Sequence, residues 1–185
     1  MPAPIDIVNA ALGLCGSRST LANFSGNTPE AAQANTWYDV DRRWLLREAK
    51  WNFAREQGAL TLVGTAPGVN QQPATNLPWA FMPWAFQYAY PSDAVMFRAI
   101  LPTYNMAPIQ PYPFVTNQPP APFMISSMID QSNVVVKSIL TNQQVAIGTW
   151  TRDITDCNLF DTQFIEALEF LLASHFTIPL TGNQS

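Results

Sequence analysis

The sequence has few charged residues, and this shortage limits the partners it can have. Only 12% of its 185 residues are charged, about half the share usual in soluble domains. The formal net charge is −4, so the composition does not indicate the basic patch that binding to a DNA backbone requires. Surfaces buried between proteins are depleted of charge. The composition therefore favours a subunit whose surface is covered by partner proteins, rather than a free monomer.

The sequence contains a single histidine, His175, which limits the catalytic centres it can form. A Ser-His-Asp triad or a histidine-ligated metal site would have to use this residue. We interpret it as a helix-end residue, where the helix dipole favours an imidazolium. The sequence has no Cys-x-x-Cys pair and no glycine-rich phosphate loop after a strand. We therefore predict that the chain is not an enzyme and uses no cofactor or metal.

Cys15 and Cys157 are the only cysteines, and we predict that both are buried, reduced thiols. The N-terminus lacks the basic start of a signal peptide. No run approaches the roughly 18 apolar residues of a membrane span. These features predict a protein that folds in a cytoplasm and has no membrane partner.

Hydrophobic spacing and capping residues predict three helices. They cover residues 4–14, 28–58 and 158–179. In the second, Thr28 is the N-cap and Pro29 takes the first helical position. Trp37, Trp44 and Trp51 recur at a spacing of seven, which predicts one aromatic stripe along that helix.

Charged residues on the second predicted helix form one local cluster. Asp39 and Asp41 lie within reach of Arg42, Arg43 and Arg47. This pattern predicts an ion-pair face that is exposed to solvent or shared with another subunit. A glycosidase pair of carboxylates stays open, because its two members can come from anywhere in a chain.

Prolines recur between residues 64 and 122 and exclude a long helix there. Short strands are predicted at 59–63, 84–90, 94–101, 123–128, 134–140 and 145–151. The fold class is therefore α+β. We predict a bundle of about three helices, from residues 1–58 and 158–185, with an inserted proline-rich β-sheet sub-domain at 59–157, together forming a single compact domain.

The aromatic residues near position 80 are the candidates for a partner contact. Trp79, Phe81 and Met82 lie in a segment that is hard to bury whole in so small a chain. Aromatic residues and methionine are enriched in protein interfaces. A loop that folds back on its own sheet is the alternative.

Several segments, taken in order, resemble the tail tubular protein A family of short-tailed bacteriophages, the head-to-tail connector adaptors. The resemblance covers most of the chain and is poorest at 103–122. It rests on the shared order and spacing of DIVNAALG (6–13), YDVDRR (38–43), LLR (45–47), WNFA (51–54), FQYAYPSD (86–93), ILTN (139–142), DITD (153–156), LFD (159–161), FIEAL (164–168) and PLTG (179–182).

The resemblance implies a helical bundle with a β insertion and a ring of twelve subunits beneath the portal protein. Such a ring offers a docking surface to the tail nozzle, a tail tubular protein B-like partner. It also surrounds double-stranded DNA that passes through without specific binding. The resemblance implies no catalysis or cofactor, and a place in the virion neck or tail after assembly in the host cytoplasm. Family members usually continue past residues 179–182 with a further helix that engages the portal, so this sequence is either a short variant or lacks that part.

Two other functions stay open on the sequence. A neck or stopper protein of the virion would share the composition and differ only in its position in the particle. A carbohydrate-binding protein or glycosidase would use the aromatic residues as platforms for sugars.

Overall fold

The computed structural model describes residues 2–65, 84–101, 119–129 and 134–182. These ranges contain three α-helices and two antiparallel sheets, which confirms the α+β class. The helices are α1 (Pro4–Leu14), α2 (Pro29–Glu48) and α3 (Thr162–Thr181). The strands are β1 (Arg55–Ala59), β2 (Leu62–Thr65), β3 (Phe86–Ala89), β4 (Ala94–Leu101), β5 (Phe123–Ile129), β6 (Val135–Thr141) and β7 (Ile147–Arg152).

Helix α1 has the predicted bounds, and local residues fix both of its ends. The Asp6 carboxylate accepts a hydrogen bond of 2.7 Å from the Ala3 amide and so occupies a donor at the helix start. Gly16 follows the helix with a φ of 76°, a conformation that glycine adopts at little cost. Between these ends the apolar face of the helix is buried.

Helix α2 begins as predicted but ends earlier. The Thr28 hydroxyl accepts a hydrogen bond of 3.2 Å from the Ala31 amide. The prediction that the helix continues to residue 58 is wrong, because it ends at Glu48 and β1 begins at Arg55. The Trp51 indole donates to the Leu45 carbonyl at 2.8 Å. Trp51 therefore helps to satisfy the helix end and does not belong to an aromatic stripe on α2.

Helix α3 begins and ends later than predicted. Residues 157–159 form a 3-10 turn, in which the Asp156 carboxylate accepts from the Asn158 amide at 3.0 Å. Asp161 then occupies the N-cap position. Pro179 lies inside the helix, which continues to Thr181. Proline has no N–H and so removes its own hydrogen bond to the carbonyl four residues earlier, but the helix tolerates this loss and continues for two more residues.

The two ends of the chain form one compact unit, from residues 1–55 and 152–185. Both α1 and α2 pack on α3. Helices α2 and α3 run in opposite directions, because Trp37 in α2 meets His175 late in α3, whereas Trp51 after α2 meets Phe164 early in α3. The core of this unit is formed by fully buried apolar side chains: Ile7, Leu12, Leu46, Phe164, Leu168, Leu172 and Phe176.

Residues 56–151 form the second compact unit, which contains the sheets. One sheet has the antiparallel order β2-β3-β6-β5, and the other has the order β1-β7-β4. Strand β4 has the predicted bounds, and most of the other strands lie within a few residues of theirs. The predicted strand at 59–63 is wrong, since β1 ends at Ala59 and β2 begins at Leu62. The buried core includes Phe86, Tyr88, Phe97, Ile100, Ile139 and Trp150.

Gly148 in β7 lies where neighbouring side chains pack closely against the strand. A Cβ atom at this position would lie 2.7 Å from the Phe97 ring and 2.9 Å from a methyl group of Leu60. Both distances are shorter than a van der Waals contact between carbon atoms. The sheet therefore needs a glycine there so that these two side chains can close over the strand.

Candidate functional site

A buried arginine joins α2 to the segment that precedes α3. The Arg42 side chain is 1% exposed and donates to Asp153 at 2.5 Å and to the Ile154 carbonyl at 2.6 Å. It also pairs with Asp39 at 3.2 Å. Asp153 accepts a second ion pair of 2.8 Å from Arg43. The cluster fixes the position at which the chain re-enters the helical unit.

Next to this cluster, a second buried charge faces α3. Asp41 is 3% exposed, and its Oδ1 lies 3.3 Å from Nε2 of His175. Its Oδ2 is buried and has no hydrogen-bond partner among the described residues. Burial raises the pKa of the Asp41 carboxyl, and the nearby charge of His175 partly opposes that shift. The imidazole stacks on the Trp37 ring, with centroids 4.0 Å apart and planes 4° apart.

These contacts correct two expectations from the sequence. The predicted ion-pair face is wrong for Asp41 and Arg42, which are buried within the chain. Helical spacing contained the signal, because the two residues precede the buried Leu45 and Leu46 by four positions each. The helix-end interpretation of His175 is also wrong, since α3 continues to Thr181.

The two cysteines are free thiols that pack in the helical unit. Cys157 is buried as predicted and lies 3.3 Å from the Tyr38 hydroxyl. Burial raises the pKa of the Tyr38 phenol, and this hydrogen bond raises it further. Cys15 is only half-buried, contrary to the prediction, and its thiol donates to the Ala173 carbonyl at 3.1 Å. Both thiols therefore contact neighbouring residues of the helical unit, which indicates a role in packing.

Helix α2 presents an exposed surface that combines apolar and basic side chains. Val40 and Trp44 are 55% and 50% exposed, and Arg47 is exposed beside them. The spacings of three and four residues place these side chains on one face. We call these three residues the α2 surface. An exposed tryptophan next to an exposed valine is typical of a contact with another protein.

Helix α3 presents an exposed surface that combines aromatic and acidic side chains. Phe170 is 57% exposed, Glu166 is exposed and Glu169 is half-buried. Burial raises the pKa of Glu169, and the negative charge of Glu166 raises it further. Neither glutamate forms an ion pair within the described ranges of the chain. We call these three residues the α3 surface.

The predicted interface residues Trp79, Phe81 and Met82 lie outside the described residues. The exposed apolar side chains of α2 and α3 were not among the sequence candidates. The sequence prediction places Trp44 with Trp37 and Trp51 in an aromatic stripe along α2 and does not single out Val40. Only the burial of the opposite face of α2 shows that Val40 and Trp44 point outward.

Within the ranges that the structure describes, no group of three or more histidine, cysteine or acidic side chains is placed to hold a metal ion. None of the described helices is both long enough and apolar enough to cross a membrane. The buried acid–base contacts described above join α2 to α3 and to the segment that precedes α3. Their evident effect is on packing.

No protein-family model matches the chain, and no curated protein sequence is similar to it.

Proposed function

We propose that this chain is a structural subunit of a phage virion, the head-to-tail adaptor that forms a ring between the portal protein and the tail nozzle. In this proposal twelve copies surround a channel through which double-stranded DNA leaves the head without specific binding. The protein is not an enzyme and uses no cofactor. It is placed in the neck of the virion after assembly in the host cytoplasm.

The observation that carries the proposal is the division of the chain into a helical unit and an inserted β unit. Residues 1–55 and 152–185 form a helical unit, and residues 56–151 form a β unit that interrupts it in sequence. We propose that this is the helical bundle with an inserted, proline-rich β-sheet sub-domain that the resemblance to the adaptor family implies. The same order of elements contains the segments on which that resemblance rests.

Surface composition supports a role within an assembly. Large apolar side chains are exposed on both units, for example Trp44 and Phe170 on helices and Ile125 and Val135 on strands. When a partner covers groups of such exposed residues, the burial of their apolar surface lowers the free energy. The low share of charged residues, 12%, agrees with extensive contacts of this kind.

The charge of the chain agrees with a channel that DNA must pass through quickly. A net charge of −4 provides no overall attraction for phosphates. A strongly basic lining would retain DNA through release of counterions. An adaptor that forms part of an ejection path is therefore expected to be neutral or acidic.

Electron cryomicroscopy of the protein mixed with the portal ring encoded by the same phage tests the proposal. We expect copies seated as a closed ring on the tail side of the portal, with an open central channel. The protein without portal is imaged as the control. A well-formed portal that binds no copies would contradict the adaptor role, and labelling of the protein elsewhere in the neck would favour a stopper.

A further inference from the structure

We propose that strand β5 of one copy of this chain pairs with strand β2 of a second copy, so that the four-stranded sheet continues from subunit to subunit. In the order β2-β3-β6-β5 these two strands are the edges of the sheet. An edge strand presents backbone N–H and C=O groups that can pair with a strand of another chain. The proposal rests on the ring described above, because it specifies the contact by which neighbouring β units meet.

Both edge strands lack the charged residues and prolines that commonly protect sheet edges from pairing. Strand β5 covers residues 123–129 with the sequence FMISSMI, and β2 covers residues 62–65 with the sequence LVGT. The edge strands of the three-stranded sheet differ, since β1 contains Arg55 and Glu56 and β4 contains Arg98. The four-stranded sheet is therefore the one whose edges suit a partner strand.

The two edges are complementary in strand direction and in backbone hydrogen bonding. Each neighbouring pair in the sheet is antiparallel, so β2 and β5 run in opposite directions and a second copy in the same orientation continues the antiparallel ladder. Alternate residues of such strands direct their backbone groups to opposite sides. The Ala89 amide donates to the Thr61 carbonyl at 2.9 Å. With the register of the strands, this bond places the backbone groups of Leu62 and Ile125 on the outer sides of the sheet.

The side chains of Leu62 and Ile125 are matched as well. They are the two ends of one row across the sheet, whose middle members are Tyr88 and Ile139, and side chains in one row share a face. Tyr88 and Ile139 are buried, whereas Leu62 and Ile125 are 46% and 45% exposed. The apolar row therefore ends in a half-exposed side chain at each edge. Pairing of the two edges places Leu62 of one copy opposite Ile125 of the next and buries both.

This match selects a second copy of the chain as the partner of β5. Strand β2 is complementary to β5 in direction, in the row that its exposed leucine occupies and in the face on which that leucine lies. A contact between two different edges is heterologous and generates rings or open chains. Pairing of β5 with β5 about a two-fold axis would instead close a dimer and leave β2 without a partner.

Mixed cysteine variants test the contact directly. Leu62→Cys and Ile125→Cys proteins, one of them labelled with ¹⁵N, are mixed at high concentration with and without the portal ring and are oxidised. We expect a linked peptide with one labelled and one unlabelled half. The wild type measures background from Cys15 and Cys157. A mixture of Leu62→Cys with Met124→Cys, whose side chain lies on the opposite face of β5, is the matched control. Equal yields in the two mixtures, or an Ile125→Cys protein that links to itself as efficiently, would overturn the contact.

Proline substitution provides the second measurement and separates this contact from the adaptor role. Ile125→Pro removes an N–H on the outer side of the sheet, a change that an edge strand tolerates. We expect self-association about tenfold weaker than in the matched control Ile125→Val, which keeps the N–H. Circular dichroism checks that both variants fold, and sedimentation and imaging with the portal count the copies in each ring. Equal assembly of the two variants would overturn the contact and leave the adaptor role standing. A chain that forms the cross-link but binds no portal would overturn the adaptor role and leave the contact standing.

Discussion

Replacing Arg42 by methionine removes the ion pairs that Arg42 forms while keeping an unbranched side chain in the space. Loss of one partner from a buried ion pair costs about 3–5 kcal/mol in general. Here the carboxylates are partly relieved, because Asp153 keeps its 2.8 Å pair with Arg43 and Asp39 is 74% exposed. The Ile154 carbonyl loses its 2.6 Å bond. An unsatisfied buried acceptor costs about 1–3 kcal/mol. We therefore expect Arg42→Met to lower the free energy of unfolding by about 3 kcal/mol.

Arg43→Met is the matched control, because the neighbouring arginine pairs with the same Asp153 but is 59% exposed. A pair this exposed contributes about 1 kcal/mol or less. Urea unfolding followed by tryptophan fluorescence and by circular dichroism measures both variants, and agreement of the two probes tests for a single transition. If Arg42→Met loses no more stability than Arg43→Met, the cluster does not hold the returning chain and the reasoning is refuted.

Three further variants test other parts of the fold. The pKa of Asp41 is raised in the folded chain. Its stabilising effect is therefore present below the pKa of the unfolded chain and is lost as pH rises through the pKa of the folded chain. Thermal unfolding of Asp41→Asn and of the wild type is measured over a range of pH. The stability of the variant relative to the wild type should increase as pH rises, and a difference that stays constant would contradict this. Gly148→Ala should lower the melting temperature, since its Cβ would lie 2.7 Å from Phe97, whereas Gly13→Ala, which meets nothing within 4 Å, should not. Thr28→Ala should cost about 1 kcal/mol in urea unfolding through loss of the α2 cap, and an unchanged midpoint would argue against the capping bond.

The sequence was sufficient for elements whose signals are local. Helix α1, the start of α2 and strand β4 follow from capping residues, apolar spacing and flanking turns, which involve neighbours in the chain. The end of α2 could not be obtained in this way. Trp51 fits a helical spacing of seven, but its indole instead bonds to the Leu45 carbonyl and its ring packs on Phe164. That second contact is with a residue remote in sequence, and tertiary packing overrides the helical pattern.

The candidate site was harder to predict because charge alone does not reveal burial. Asp41 and Arg42 appear in the sequence as members of a charged run. Their burial depends on Asp153, Ile154 and His175, which lie more than a hundred residues later. The exposure of Trp44 and Phe170 is the converse case, since apolar residues at helical spacing predict a core. Only the positions of the packed neighbours decide which apolar positions face outward.

The division of the chain has a consequence for synthesis on the ribosome. Helices α1 and α2 emerge first, but the helix that covers their apolar faces, α3, begins only at Thr162. The β unit at 56–151 is contiguous and can complete its sheets before then. At about 5–20 residues per second, the first two helices wait several seconds for α3. During that interval Leu12 and Leu46, fully buried in the finished unit, lack the surface on which they pack. Nascent chains truncated before residue 160 should therefore recruit chaperones that bind exposed apolar segments, and full-length chains should release them.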